Sequence, residues 1–195
     1  MPKAKKSAKA KKSVKAKKKT STLKKHPKKK IVKKTIAKRK PKKVTAIPKG
    51  YHSITPYLTV SDAAGAIAFY KKAFGAKEIM RFDGPNGKIA HAEIQIGDSK
   101  IMLGDECPEG NARTPGELGG SPVGIHLYIK DVDGVVKRAI ANGAKATRPV
   151  QDMFYGDRAG GLVDPYGHNW YVSTHIEDVT PAKMKKRIAE LFGKK

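Results

Sequence analysis

The sequence predicts an α+β fold in which two copies of a βαβββ module pair into a half-open barrel, preceded by a disordered basic tail. Three observations support this prediction. A strand-to-helix motif occurs twice in the 195 residues, similar strands and turns follow each copy, and nearly all of the net charge of +25 precedes residue 51. One βαβββ unit is too small to cover both faces of its sheet. Two units are therefore expected to pair around a cleft, where a ligand would bind.

The first fifty residues form a segment of extreme positive charge. They contain 23 Lys or Arg residues and no Asp or Glu. They offer almost no large apolar side chain to bury and their charges repel one another, so we expect residues 1–49 to be disordered. Cations on a flexible chain displace counterions from polyanions, which predicts salt-dependent, sequence-independent binding to nucleic acid. The candidate contacts are Lys5, Lys6, Lys11, Lys12, Lys17, Lys18, Lys28, Lys29, Lys38 and Arg39.

The partner of this tail stays open at the sequence level. RNA, polyphosphate and anionic membrane surfaces carry the same dense negative charge as DNA, and a purely solubilising role is an alternative. The Lys, Ala, Ser and Pro composition resembles the tails of linker histones and of basic bacterial nucleoid proteins. The tail has no aromatic residue that could stack on a base, so contacts to the nucleic-acid backbone alone are predicted.

Targeting features also bear on where the protein resides. The chain begins without the apolar stretch of a secretory signal, and no run of about 18 apolar residues suited to a membrane span occurs. We therefore expect a soluble, cytoplasmic protein. Its basic tail would associate it with the nucleoid in a bacterium or place it in the nucleus of a eukaryote.

The first module is predicted over residues 51–104. It opens with an alternating strand that leads to Asp62, a favoured N-terminal cap, after which apolar residues recur at helical spacing. Gly75 is the expected left-handed residue at the end of this helix. Three antiparallel strands should follow, separated by Gly-containing turns at residues 84–87 and 97–98.

The second module, over residues 122–175, repeats this order. Asp131 occupies the place of Asp62, 69 residues further along, and each helix ends at a Gly-Ala-Lys tripeptide, the second beginning at Gly143. Residues 105–122 between the modules are rich in Gly and Pro and are predicted to be a linker or a mobile lid.

The C-terminal residues 179–195 are predicted to form a basic amphipathic helix. One helical face carries apolar side chains and the other carries Lys and Arg, so the helix is expected to pack on the body or on a second subunit. The apolar face consists of Met184, Ile188, Leu191 and Phe192.

Four strings of residues resemble a known family. They are Pro-Tyr-Leu at 56–58, Ala-Ile-Ala-Phe-Tyr at 66–70, Gly-Asp-Arg at 156–158 and Asp-Pro-Tyr-Gly-His-Asn-Trp at 164–170. In this order they resemble the vicinal oxygen chelate superfamily, which includes glyoxalase I, bleomycin and fosfomycin resistance proteins and extradiol dioxygenases, and in particular its PhnB-like branch. The resemblance covers about residues 51–176 and implies one such domain over residues 50–178, with the fold predicted above.

The resemblance also implies a place for a divalent metal. Family members of the glyoxalase type use four ligands from four strands, and these positions correspond here to Thr55, Glu93, Gly124 and Tyr171. Only Glu93 is a good ligand, because glycine has no side chain and neutral hydroxyl groups bind divalent metals weakly. Glyoxalase I activity is therefore disfavoured. A metal-dependent lyase, isomerase or dioxygenase-like activity stays open, with Glu93 as the candidate catalytic residue.

Strand parity keeps a displaced metal site open. Residues two apart on a strand point to the same face, so His91 accompanies Glu93, His126 accompanies Gly124, and Tyr57 accompanies Thr55. His91, Glu93 and His126 could supply a two-histidine, one-carboxylate site. The alternative is a metal-free pocket in which polar side chains bind the substrate. The candidate substrate-binding residues are Thr55, Tyr57, His91, His126, Arg158 and Tyr171.

The last two predicted strands, residues 157–163 and 168–173, raise three further questions. Arg158 would suit a carboxylate or phosphonate ligand at the mouth of the cleft, or else form a salt bridge with Asp157 or Asp164. Trp170 has the opposite parity to Tyr171, so we expect it to pack against a helix. His168 is expected to be a turn or surface group.

Two functions from different classes follow. In the first, a PhnB-like domain binds or transforms a small polar metabolite in its cleft, while the tail binds nucleic acid non-specifically. In the second, the domain has lost its chemistry and serves as a dimerisation scaffold for a DNA- or RNA-binding tail. A homodimer is expected in either case.

Overall fold

The computed structural model describes residues 44–193. The predicted tail up to residue 43, and with it all the candidate nucleic-acid contacts, lies outside the described residues. The predicted α+β fold of two βαβββ modules is confirmed. The first module consists of β1 (Tyr57–Val60), α1 (Ala63–Phe74), β2 (Lys77–Asp83), β3 (Ile89–Ile96) and β4 (Ser99–Asp105). The second consists of β5 (Gly124–Tyr128), α2 (Val132–Ala141), β6 (Lys145–Asp152), β7 (Asp157–Val163) and β8 (Asn169–His175), and α3 (Pro181–Phe192) follows it.

Each module forms one four-stranded sheet, and the two sheets have equivalent topologies. The strand orders are β1-β4-β3-β2 and β5-β8-β7-β6. In both, the first strand pairs in parallel with the last strand of its module, and the other neighbours are antiparallel. The internal repeat therefore corresponds to a structural duplication.

The helix termini follow the sequence signals closely. Asp62 and Asp131 accept hydrogen bonds from the backbone nitrogens of Gly65 and Gly134, at 3.0 and 2.9 Å. Gly75 ends α1 with φ of 70°, in the left-handed region where glycine is least strained. The second helix ends one residue earlier than predicted, since Asn142 is its cap.

One face of each sheet is buried against the helices. Alternate residues such as Leu58, Ala92 and Ile94 belong to the core, and α1 contacts α2. Trp170 is 1% exposed and its ring centre lies 4.6 Å from that of Phe74, which confirms that this side chain packs against a helix. The opposite faces of the sheets, which we call the open faces, carry the candidate site residues other than Arg158 and Thr55, the latter of which precedes β1.

The turn before β8 joins the modules. His168 was expected at a turn or on the surface. It closes the turn, since its carbonyl accepts from the backbone nitrogen of Asp164 at 3.0 Å, but its side chain is not on the surface: it is buried and its Nε2 donates to the carbonyl of Thr59 over 3.1 Å. The buried Asp164 accepts from the Tyr70 hydroxyl at 2.7 Å and from the Trp170 indole at 2.9 Å. The turn is therefore tied to both β1 and α1.

Within residues 44–193, no helix combines the length and the apolar character that crossing a membrane requires.

Candidate functional site

A cleft lies where the two modules meet along β1 and β5. Its main cavity has a volume of about 490 Å³ and is lined by residues of both modules, including Thr55, Lys100, His126 and Tyr128. A second cavity of about 490 Å³ adjoins the same strands and is lined by Tyr57 and Gly124 among others. A cleft between the modules was predicted, and the structure contains one.

Glu93 is the buried acid of the first module. It is 4% exposed and points from β3 to the open face of the sheet. The hydroxyl of Tyr51 donates a hydrogen bond to it, and the Lys100 ammonium lies 3.5 Å from its Oε2. The same ammonium sits 3.7 Å from the centre of the Tyr51 ring, a cation–π geometry. His91 Nε2 is 3.7 Å from Oε1, so Glu93 is held by three neighbours.

These contacts decide the charge state of Glu93. Burial acts to raise the pKa of Glu93, but the Tyr51 hydroxyl and the Lys100 ammonium outweigh burial and hold the pKa below its usual range. Burial likewise acts to lower the pKa of Lys100, and its contacts with Tyr51 and Glu93 raise it instead. Glu93 and Lys100 therefore form an ion pair at neutral pH.

Replacing Tyr51 with Phe is expected to raise the pKa of Glu93, because a hydrogen bond to the ionised carboxylate is lost. A carboxylate whose pKa is depressed by folding contributes stability above its unfolded pKa, and this contribution disappears as the pH falls through the folded pKa. The Tyr51→Phe variant should therefore lose less stability on acidification than the parent. Carboxyl-carbon NMR titration of Glu93 measures the pKa directly.

The matched control for this prediction is Tyr155→Phe, at a tyrosine that packs on Phe154 and leaves the surroundings of Glu93 intact. A Glu93 titration that is the same in Tyr51→Phe as in the parent would show that the hydroxyl contact does not stabilise the carboxylate.

In the second module, Tyr171 of β8 and Gly124 of β5 are in close contact on the open face of the sheet. A Cβ atom on Gly124 would lie 2.5 Å from the ring of Tyr171, so glycine is required for the ring to lie where it does. The first module also has a tyrosine close to a glycine, because a Cβ on Gly104 would lie 2.8 Å from the hydroxyl of Tyr57. Two of the four positions at which the family resemblance implies metal ligands are thus occupied by a tyrosine ring packed over a glycine.

The alternative metal site of His91, Glu93 and His126 is not assembled. Among residues 44–193, no group of three or more His, Cys, Asp or Glu side chains is placed to hold a metal ion. Parity was right for each strand, but His126 belongs to the other sheet, where its Nε2 lies 2.9 Å from the Ser173 hydroxyl. Because Lys100 and Tyr51 already satisfy Glu93, the residues at these positions do not suit a divalent cation.

Arg158 does not face the cleft. Its guanidinium binds both carboxylate oxygens of Asp133 on α2, at 2.7 and 2.8 Å, and Asp152 at 2.9 Å. It therefore points to the helix-covered face of its sheet. Arg158 forms salt bridges, as one of the two alternatives expected, but its partners are Asp133 and Asp152 and not Asp157 or Asp164. The reason is parity, since Arg158 pairs with Thr174, whose hydroxyl binds the first turn of α2.

Sequence reasoning missed two residues of the site. Lys100 could have been found, because the hairpin turn at 97–98 pairs it with Gln95 and so aligns it with Glu93 on the open face. Tyr51 had no such signal, since it precedes β1 in a segment without regular structure. Thr55, also before β1, lies with Tyr51 and Glu93 around a further cavity of about 470 Å³.

Comparison with known proteins finds relatives that match about two thirds of this chain. An uncharacterized protein of Mycobacterium tuberculosis strain H37Rv is 43% identical over 130 residues, which cover 65% of this chain and 76% of that protein. Protein YjdN of Escherichia coli is 25% identical over 143 residues, covering 62% of this chain and 93% of YjdN.

Solved structures agree on the fold. A PhnB protein from Bacillus cereus superposes with a TM-score of 0.51 at 18% identity, over 63% of this chain and 99% of that one. A glyoxalase/bleomycin resistance protein/dioxygenase family enzyme from Burkholderia phytofirmans gives a TM-score of 0.50 at 21% identity, over 62% and 95% of the two chains. The family model of this same superfamily matches residues 50–172. With the duplicated fold and the cleft, this match shows that the chain belongs to the Glyoxalase/Bleomycin resistance protein/Dioxygenase superfamily.

Proposed function

We propose that the folded body binds a small anionic metabolite in the cleft between its modules, and that the basic tail tethers the protein to nucleic acid. The observation that carries the first part is the cavity of about 490 Å³ shared by the two modules. Its volume suits a small molecule, and clefts between duplicated units are common ligand sites.

The chemistry of the lining favours an anion. Lys100 contributes a cationic donor, His52 and His126 contribute ring nitrogens and Tyr128 contributes a hydroxyl group, while Asp98 is the one carboxylate that the described residues add to the lining. Lys100 keeps its charge through the pair with Glu93. A carboxylate, phosphate or phosphonate group fits such donors.

The geometry supports binding more strongly than it supports catalysis. Glu93 is ionised and hydrogen-bonded, which suits a residue that positions Lys100 and Tyr51. A general base works best with a pKa near the operating pH. For a glutamate this requires a raised pKa, whereas the pKa of Glu93 is lowered. We therefore assign Glu93 a positioning role and leave Thr55, Tyr57, His91, His126 and Tyr171 as proposed ligand contacts.

Native mass spectrometry of the purified full chain tests the binding proposal, because a small molecule that stays bound during purification is identified by its mass. Thermal-shift titration with a panel of small carboxylates and phosphonates tests it independently. Replacing Lys100 with Gln is expected to weaken anion binding by about tenfold or more, because a charge-assisted contact is lost.

The controls separate ligand binding from stability. Lys100→Gln leaves Glu93 buried without its cation, so Glu93→Gln is added in a second variant to restore neutrality. The double variant should regain stability and still bind anions weakly. Lys88→Gln, at an exposed lysine near Glu106, should bind as the parent does. Equal anion affinity in the parent and the double variant would refute Lys100 as the ligand contact.

The tether rests on the tail, with its 23 cations in the first fifty residues. Flexible chains of this charge bind nucleic-acid backbones through counterion release, with affinity that depends steeply on salt. A DNA partner would place the protein at a bacterial nucleoid or in a eukaryotic nucleus. The decisive experiment is deletion of the tail.

A second candidate function, a dimeric scaffold for the tail, is favoured by α3. The helix is held to the body by Arg187, which binds the Phe154 carbonyl at 2.9 Å and Glu177 at 2.7 Å. Its predicted apolar face is instead exposed, with Leu191 55% and Phe192 72% accessible. An apolar helix face that the body leaves open is suited to a second copy of the chain.

Replacing Leu191 and Phe192 with Glu is expected to convert a dimer to a monomer, because two carboxylates would be buried in the interface. Light scattering coupled to size exclusion measures the mass. The control is Lys186→Glu, which changes the net charge by the same amount at an exposed position. A dimer that persists in the Leu191 and Phe192 variant would show that α3 is not the interface.

A further inference from the structure

The duplication of the module allows residues on one side of the junction between the modules to be compared with their equivalents on the other side. Leu58 of β1 pairs with Leu103 of β4, and Leu127 of β5 pairs with Val172 of β8, so equivalent residues of these strands are 69 positions apart. Packing that differs between equivalent positions therefore shows where the two halves of the junction are not alike.

On the β1 side, the junction is filled by large rings. The buried His168 directly precedes β8, and its Nε2 donates to the carbonyl of Thr59 over 3.1 Å. Trp170 is 1% exposed, and its ring centre lies 5.5 Å from that of Tyr70 on α1. The second module therefore fills its contact with β1 and α1 with an imidazole and an indole.

On the β5 side, the equivalent residues are smaller and a cavity is present. Ser99 is equivalent to His168, and Ile101 is equivalent to Trp170. The hydroxyl of Ser99 donates to the exposed Asp98 at 2.9 Å. Ser99 and Ile101 both line the cavity of about 490 Å³. Because protein interiors are close-packed, a hydroxymethyl group and an aliphatic chain in place of two rings leave a space that a ligand can occupy.

The wall of this cavity is mostly apolar. Leu127 on β5 is only half-buried, whereas its equivalent Leu58 on β1 is 5% exposed. The apolar side chains of the lining include Ile54, Ile96, Ile101, Ile125, Leu127 and Trp170. Hydrocarbon placed against such a wall leaves water, which is favourable, whereas a water molecule there finds few hydrogen-bond partners. An apolar ligand body therefore fits this part of the cavity.

The cavity also has a polar end. Lys100 and Ile101 are neighbours on β4 and point to opposite faces of the sheet, and His126 and Leu127 do the same on β5. The cavity therefore joins a polar side that carries the Lys100 ammonium to an apolar side. Glu93 accepts from one of the three N–H donors of this ammonium, so a ligand carboxylate can accept from another.

We propose that the ligand of the cleft is an amphipathic carboxylate with an unbranched hydrocarbon chain. Its head group binds at Lys100, and its chain occupies the space between the β4 hairpin and β5. This inference rests on the anion site proposed above and names the class of its ligand. The chain supplies most of the affinity, because one contact to an already paired lysine contributes less than several buried methylene groups.

The experiment is an NMR titration of the full chain, labelled at the methyl groups of Ile and Leu, with acetate, butyrate, hexanoate, octanoate and decanoate. The affinity should rise about threefold to fourfold for each added methylene until the cavity is full. Octan-1-ol, which has the chain of octanoate without the charge, should bind at least about tenfold more weakly than octanoate. The methyl signals of Ile101 and Leu127 should shift with octanoate and not with acetate.

The test variant is Ser99→Phe, because residue 99 has the same parity as Ile101 and a ring there occupies the space that His168 fills on the β1 side. Octanoate should bind at least about tenfold more weakly than to the parent, and acetate should bind within about twofold. Ser61→Phe is the matched control, since it adds the same ring at an exposed serine outside the lining, and should bind both probes as the parent does.

Leu127→Ala provides a second measurement that does not depend on Ser99. This change enlarges the same space, so the carboxylate of highest affinity should be longer than in the parent. Chain-length series that are the same in the parent, Ser99→Phe and Leu127→Ala would overturn the location of the chain.

The probes also separate this inference from the anion site on which it rests. Equal affinity for acetate and octanoate overturns the amphipathic class and leaves the anion site in place. Equal affinity for octan-1-ol and octanoate overturns the anion site, and with it the carboxylate head group, while the apolar space remains. If none of the probes binds, both proposals fail.

Discussion

Replacement of Asp164 with Asn is expected to lower the free energy of unfolding by about 2–4 kcal/mol. One carboxylate oxygen accepts from the backbone nitrogens of Tyr166 and His168, and the other accepts from the Tyr70 hydroxyl and the Trp170 indole. An amide can replace only the first oxygen. The indole donor, which is buried, would then lose its acceptor.

Urea denaturation followed by far-ultraviolet circular dichroism measures this loss. Asp178→Asn provides the control, because this carboxylate is exposed and touches only His175. We expect that variant to stay within about 0.5 kcal/mol of the parent. If Asp164→Asn unfolds at the same urea concentration as the parent, the carboxylate does not hold the turn to α1.

Deletion of residues 1–43 should reduce the affinity for duplex DNA by at least about a hundredfold at low salt, because most of the cations that displace counterions are removed. The plot of log affinity against log salt concentration should also lose most of its slope. The body that remains keeps every described residue of the core and of the cleft lining.

The control for this deletion replaces residues 1–43 by a Gly-Ser chain of equal length, which keeps the chain length and removes the charge. It should bind as weakly as the deletion variant. Affinity and salt dependence that match those of the parent in either variant would remove the tether, and the tail would then be a solubilising extension.

Local signals were sufficient for the architecture. The capping residues Asp62 and Asp131, Gly75 and the hairpin turns specify where elements begin and end, because backbone hydrogen bonding and conformational strain act over a few residues. Strand parity also put His91 on the same face as Glu93 and Trp170 on the opposite face from Tyr171. These predictions depend on a period of two residues and on no distant contact.

Contacts between distant segments decided the chemistry of the site. Tyr51 reaches Glu93 from 42 residues away, and Asp164 meets Tyr70 from 94 residues away. Nothing in the local sequence around Tyr51 or Asp164 specifies such partners, because they depend on how separate strands and helices pack. For the same reason parity could not decide whether His91, Glu93 and His126 come together, and among residues 44–193 they form no metal-binding group.

The rings of Tyr57, His91 and Phe82 on the open face of the first sheet show the same division between local signals and distant contacts. Alternation along each strand predicts that Tyr57 and His91 face away from the core, since the period of a strand is a property of its backbone. That their rings lie together with Phe82 depends on the strand order β1-β4-β3-β2. The face that a residue occupies is thus a property of a local stretch of chain, whereas the neighbours that set the charges of Glu93 and Lys100 exist only once distant segments have packed.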